Sequence, residues 1–188
     1  MLDYTLNWTG AIPDAAPVLN VLRSPRLNVN IEYSPDLVKK AFCEGLWINL
    51  MPRKLDQPNA TALISDEPEL AKALLEVNPL RKQFLPYFTE GFALGDSMLS
   101  EAPACFVRGY QHGNRLLVIV LNDGIGGRTI DLKSDLNMWL PTALRYRQKY
   151  YDSTGVIKDE AILNSPDWTV KTLSLAALEL AFFEIEAL

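Results

Sequence analysis

A few polar side chains stand on strand-like stretches, where a solvated charge or amide is not expected. In "NVNIEY", Asn28, Asn30 and Glu32 alternate with Val29 and Ile31, and in "LWINL" Trp47 and Asn49 fall on the corresponding alternation. Glu32, near the C-terminal end of its strand and aimed with Asn30, is the best single candidate for a site carboxylate. Asp3, at the end of the first strand-like stretch, is the second. Carboxyl groups are among the side chains that move protons in a reaction. The structural alternative for both is an ion pair or a hydrogen bond to neighbouring loops. Asn30 and Asn49 either bind ligand hydroxyls or satisfy each other across the strands. Trp47 either offers a flat apolar face to a ligand ring or fills space.

Other chemistries lack their residues. His112 is the only histidine and falls in a hairpin turn, where an exposed side chain is expected, so no Ser-His-Asp or Cys-His constellation forms around it. No ligand spacing supports a metal, and no cofactor is expected. "GIGG" at 124–127 lacks the strand-to-helix setting of a phosphate loop and reads as a turn. "RYRQK" at 145–149 reads as a solvated strand face. Cys43 and Cys105 lie in different structural patterns and read as small buried hydrophobes, not as a disulfide. With 18 Lys and Arg against 23 Asp and Glu, the net charge of −5 disfavours a surface built to neutralise phosphates, so no nucleic-acid partner is expected. The longest apolar run, "LLVIVL", is far below the ~20 residues of a membrane-spanning helix, so no membrane partner is expected either. The start of the chain, "MLDYTLNWTG", shows no secretory signal pattern.

The elements that must position the candidate residues are legible in the first half. Leu2, Tyr4 and Leu6 alternate with Asp3 and Thr5 as in a strand. Asp14 can cap a helix bearing Val18, Leu19 and Leu22. After the strand 27–33, Ser34 caps a helix with Pro35 at its first position and Leu37, Val38, Ala41 and Phe42 on one side, and Gly45 stops it. "LWINL" follows at once. Ten helical residues span ~15 Å, about one short strand, so helix and strands run back to back and the strands are parallel. A further helix opens at Asp66 with Glu69 three residues on, buries Leu70, Leu74 and Val77, is interrupted and restarted at Asn78-Pro79, and carries Leu80, Phe84, Leu85 and Phe88 on to Gly91.

Three β/α units predict a parallel sheet covered by helices, and the polar faces of its strands favour a barrel lumen over an open sheet, whose two faces would both be apolar. Beyond residue 91 the texture changes. "ACFVRGYQHGNRLLVIVLND" reads as a hairpin, "DSTG" as a turn between "TALRYRQKYY" and "VIKDEAI", and "WTVKTLSL" and "LELAFFEIEAL" as further strands. The expected fold is therefore α/β plus all-β: a partial TIM-like barrel segment over 1–91, formed by C-terminal β/α units, followed by an antiparallel β-sandwich over 92–188.

With "NVNIEYSPDLVKKAFCEGLWINLMP" as closing barrel strands, "LRKQFLPYFTEG" as a last barrel helix, and "CFVRGYQHGNRLLVIVLND" and "LELAFFEIE" as sandwich strands, the sequence resembles the C-terminal portion of alpha-galactosidase-like (melibiase-type) glycoside hydrolases and related uncharacterised bacterial glycosidases. The resemblance implies an intact parent that hydrolyses glycosidic bonds, with a carbohydrate as its partner and two carboxyl groups across the scissile bond. Glu32 and Asp3 would be the carboxylates. Asn30, Asn49 and Trp47 would hold the sugar. Most of the barrel strands of such enzymes have no counterpart here, so these residues alone are expected to be inactive. The alternative is a non-catalytic carbohydrate-binding or interaction module.

Overall fold

In a computed structural model, residues 4–7, 27–31, 34–50, 64–101 and 103–188 are described. Three strands, β1 (Tyr4–Asn7), β2 (Leu27–Ile31) and β3 (Trp47–Leu50), form a parallel sheet in that order. Helix α1 (Pro35–Cys43) lies in the chain between β2 and β3, as the spacing predicts. The helix expected after Asp14 lies outside the described residues, as does the loop before residue 64.

Both ends of α1 follow from the sequence. The Leu37 N–H donates to Ser34 Oγ at 3.5 Å, and Pro35 occupies the first turn, where its missing N–H costs nothing. At the other end Gly45 has φ +68°, its N–H reaches Phe42 O at 2.9 Å, and the Leu46 N–H reaches Ala41 O at 2.9 Å. This paired closure satisfies carbonyls that the helix would otherwise leave open. Leu37, Val38, Ala41 and Phe42 are buried, as their spacing requires.

The next helix corrects the sequence reading at both ends. Residues Ile64–Asp66 form a single 3-10 turn, Glu67 stands at the cap without a side-chain capping bond to the helix, and α2 runs unbroken over Pro68–Gln83 with Pro79 inside it. Pro79 deprives only the Leu75 carbonyl of its helical donor. Leu75 is 74% exposed, so that carbonyl belongs to a face water can reach, and the helix tolerates the loss. The break falls at Phe84 instead, before the short α3 (Leu85–Thr89). Leu70, Val77, Leu80, Phe84 and Phe88 are buried, whereas Leu85 is 37% exposed.

From Phe92 onward the described chain is antiparallel. Strands β4 (Phe92–Gly95), β5 (Phe106–His112), β6 (Arg115–Leu121), β8 (Tyr146–Tyr151), β9 (Ile157–Leu163) and β11 (Leu180–Ala187) make a six-stranded sheet in the order β4-β5-β6-β11-β8-β9, and β7 (Arg128–Asp135) pairs with β10 (Asp167–Leu175). The architecture is β-sandwich-like and mostly antiparallel. A closed barrel is not among the described residues.

The six-stranded sheet is the central layer. Leu117, Ile119 and Leu121 of β6, with Leu180 and Phe182 of β11, face α1, α2 and α3; Leu116, Val118 and Val120, with Ala181, Phe183 and Ile185, face β7 and β10. A strand covered on both sides needs apolar residues at both parities. Hence "LLVIVL" is apolar throughout. On the second face Trp168 of β10 is 1% exposed, meets Phe183 edge-on at 5.5 Å between ring centres, and donates to Gln148 Oε1 at 2.5 Å.

His112 is not a turn residue. It ends β5 opposite Arg115, the turn being Gly113-Asn114 with Gly113 at φ +58°; the ring lies edge-on to Tyr87 at 5.9 Å, with Nε2 3.4 Å from Glu90 Oε2. Cys43 is fully buried and Cys105 half-buried, and both are free thiols.

Gly45 and Gly113 share a left-handed backbone but differ in crowding. A Cβ at 45 would lie 3.1 Å from Phe88 Cδ1 and 3.2 Å from the Tyr110 hydroxyl, whereas a Cβ at 113 would meet nothing within 4 Å. Gly113→Ala should cost about 1–2 kcal/mol in urea unfolding, the left-handed penalty alone, and Gly45→Ala measurably more; equal losses would show that the α1 closure has room to spare.

Candidate functional site

The parallel sheet carries three of the residues singled out by the sequence, Asn30, Trp47 and Asn49. Its register aligns Asn7 with Asn30 and Asn30 with Asn49, so three asparagines from three strands form one rung near the C-terminal ends of β1, β2 and β3. Two residues earlier, Thr5, Asn28 and Trp47 form another rung. Between them runs the rung Leu6, Val29, Ile48, and Ile48 packs against the helical core. Alternate rungs belong to opposite faces of a sheet. By residue type one parity is therefore apolar and the other polar and aromatic.

Asn30 and Asn49 are thus brought together, and Asn7 joins them. The sequence reading missed Asn7, although it continues the alternation of Asp3 and Thr5; what it lacked was the register that pairs β1 with β2. Trp47 shares the polar parity but begins its strand. It is 41% exposed, with its ring centre 5.4 Å from the Arg81 guanidinium carbon. Glu32 and Asp3 lie outside the described residues.

The start of β3 is held by a buried charged cluster that sequence patterning did not reveal. Arg81 of α2 donates to the Gly45 carbonyl at 3.3 Å and the Leu46 carbonyl at 2.6 Å, the two residues before Trp47. Phe42 and Phe88 also flank its guanidinium, with ring centres at 5.6 and 5.5 Å. Burial pushes the Arg81 pKa down to about 10. Beside it, Arg108 of β5 donates from Nε to Glu44 Oε1 at 2.5 Å and from Nη1 to the Val107 carbonyl at 2.7 Å, and its guanidinium lies 4.0 Å from the Phe106 ring centre. Glu44 is 1% exposed and Arg108 8%. The Tyr110 hydroxyl donates to the Cys43 carbonyl at 2.7 Å. Burial, and then the Glu44 carboxylate, push the Cys43 thiol upward, so it is no thiolate nucleophile. The cluster joins elements and positions β3.

A second carboxylate missed by sequence is Glu184 of β11. It accepts from the Tyr87 hydroxyl at 2.7 Å and the Tyr151 hydroxyl at 2.8 Å, one phenol on each oxygen. Burial, then the bond to Glu184, raises both phenols, which therefore remain donors. Both oxygens being engaged, Glu184 anchors α3 on the sheet. The signal was present: in "LAFFEIEA", Glu184 sits on the parity of Leu180 and Phe182, a carboxylate on a core-facing stripe.

No family model matches the chain, and no curated protein matches its sequence. Solved structures do match its fold. A glucosidase from Croceicoccus marinus is similar at a TM-score of 0.51 and 12% identity, over 100% of this chain and 54% of that one. A GH30 endoxylanase from Clostridium papyrosolvens C71 is similar at 0.50 and 13%, over 98% and 49%. An alpha-amylase from Geobacillus thermoleovorans gives 0.48 and 15%, over 85% and 39%. The fold thus resembles glycoside hydrolase domains at low identity, and this chain spans about half of the first two structures and less of the third.

Removing one member of the Glu44–Arg108 pair leaves an uncompensated buried charge. Arg108→Met should cost about 3–5 kcal/mol in urea unfolding, and Glu44→Gln added to it should restore most of that loss. A double variant no more stable than the single would mean that the pair does not act as a unit.

Proposed function

We propose that this chain is the C-terminal portion of a glycoside hydrolase-like protein whose intact parent cleaves glycosidic bonds, and that these residues alone do not turn over substrate. The observation that carries the reading is the two-faced parallel sheet. Parallel strands ordinarily bury apolar residues on both faces. Here one parity holds Thr5, Asn7, Asn28, Asn30, Trp47 and Asn49. Such a face suits the lumen of a barrel near the mouth where β/α barrels build their sites. A full barrel needs eight strands in about 250 residues, and a chain with three described parallel strands would supply one arc of it, residues 1–91, with the sandwich of 92–188 packed behind.

In that setting Glu32 and Asp3 are the carboxylates offered to the scissile bond, which retaining enzymes hold about 5–5.5 Å apart and inverting ones about 6.5–9.5 Å apart. Asn30 and Asn49 bind sugar hydroxyls, and the exposed part of Trp47 packs on a sugar ring while Arg81 steadies the indole. The finer reading, a parent of the alpha-galactosidase-like (melibiase-type) kind, draws on the strand and helix stretches that resemble those enzymes in sequence. A second reading, a non-catalytic carbohydrate-binding module, is favoured by the sandwich having a core of its own around Trp168 and Phe183.

The purified chain should release no nitrophenol from a panel of aryl α- and β-glycosides; measurable turnover by it would sink the proposal. Retention on polysaccharide affinity gels that is unaffected by Asn30→Ala and Asn49→Ala, but lost on changing exposed sandwich residues, would transfer the function to the module reading.

A further inference from the structure

We propose that the groove along the outer side of α2 binds a small zwitterion with an aliphatic tail, an α-amino acid of the leucine type. At one end is a pocket of about 330 Å³ between α1, α2, the β8–β9 turn and the β10–β11 turn. Adjoining it through Lys72, Glu76 and Ser153 is a second hollow of about 590 Å³, lined by Pro68, Ala71, Leu75 and Pro79. Both volumes fall in the range of about 300–1,000 Å³ typical of small-molecule sites.

The polar end is built around a buried cation. Lys39 is 7% exposed, and its ammonium donates to the Leu178 carbonyl at 2.7 Å and pairs with Glu76 at 2.6 Å. Leu178 has φ +57°, a left-handed conformation that a leucine adopts only when its surroundings impose it. Its turn is held on several sides: the Leu178 N–H donates to the Asn122 carbonyl at 2.8 Å, and the Ala176 N–H to Glu179 Oε2 at 2.6 Å. A strained residue held so firmly, with its carbonyl on a buried lysine at the wall of a cavity, is the kind of feature found at ligand sites.

The charges on the wall select the ligand. Glu69, Lys72 and Glu76 repeat at three- and four-residue steps along one face of α2, giving the order negative, positive, negative. Glu76 is neutralised by Lys39, and Glu179 on the same wall accepts from the Ala176 N–H, whereas the side chains of Glu69, Lys72 and Ser153 make no hydrogen bond or ion pair among the described residues. An occupant strips water from these groups. A neutral polyol would desolvate the Glu69 carboxylate and the Lys72 ammonium while offering neither a charge, and a simple ion would satisfy one sign while meeting the other. Among the described residues no aromatic ring lines either hollow, so there a sugar would also lack a stacking platform. A zwitterion places its ammonium on Glu69 and its carboxylate on Lys72. Its aliphatic chain then covers Leu75, which is 74% exposed.

The test is calorimetric titration of the 188-residue protein with L-leucine, 3-methylbutylamine, 4-methylpentanoate, glycine and glucose, with the backbone amides followed by NMR. Leucine should bind saturably and shift the Ser153 and Leu178 amides. The amine, the acid and glucose should each bind at least tenfold more weakly, and glycine, lacking the tail, more weakly as well. Lys72→Met and Glu69→Gln, at exposed positions, should each weaken leucine at least tenfold with Tm unchanged. Absence of saturable leucine binding overturns the proposal, as do a single-charge analogue or glucose binding equally well, or both variants binding normally. None of these outcomes bears on the glycosidase-like reading, which concerns the parallel sheet.

Discussion

The closure of α1 is the constraint on which the rest of the structure depends. Within four residues, Cys43 to Leu46, the chain must end a helix, reverse through a left-handed glycine and enter a strand, all inside the core. The carbonyls exposed by that reversal are taken up by distant groups: Tyr110 from the sandwich at Cys43, and Arg81 from α2 at Gly45 and Leu46. Glu44, buried at the same point, is matched by Arg108 from β5. A buried ion pair is a poor source of net stability, because desolvating both charges offsets most of their attraction. Its effect is geometric. Only one docking of α1 on the six-stranded sheet pairs Glu44 with Arg108 while Tyr110 and Arg81 reach their carbonyls.

That docking makes the six-stranded sheet a central layer. Antiparallel sheets commonly face water on one side, and the resulting alternation reveals their orientation. Here β6 and the first part of β11 have helices on one side and the β7–β10 pair on the other, and both parities are apolar. Past Phe182 the helix-facing parity of β11 turns polar: Glu184 still carries Tyr87 of α3, and beyond it Glu186, opposite Arg115 of β6, pairs with Arg147. The same strand thus records where the helical layer stops.

The cluster also bears on chemistry. By holding the carbonyls just before β3, Arg81 sets where Trp47 starts and therefore which residues of β3 meet Asn28 and Asn30. A one-residue slip would exchange the polar and apolar rungs. Register in this sheet and the buried charges outside it are parts of one constraint, and any binding capacity of the asparagine rung depends on both.

The sequence alone determined the local elements. Ser34-Pro35 and Gly45 bracket α1, the apolar spacing marks the buried faces of α1 and α2, Gly113 marks the β5–β6 turn, and the change from helical to strand texture falls where α3 gives way to β4. It also showed that Asn30, Trp47 and Asn49 stand on one alternation. These features are legible because each is set within a few residues of itself, by capping, backbone conformation or period. Tertiary structure decided the rest. It set the asparagine rung that includes Asn7, the continuity of α2 through Pro79, the placement of His112 on a strand beside Glu90, and the engagement of Glu44, Arg81, Arg108 and Glu184. In each case the partner is remote in the chain, or is the solvent on an exposed helix face, and neither proximity nor exposure can be read from spacing. A charged residue looks the same in sequence whether its counter-charge is water or an arginine 64 positions away.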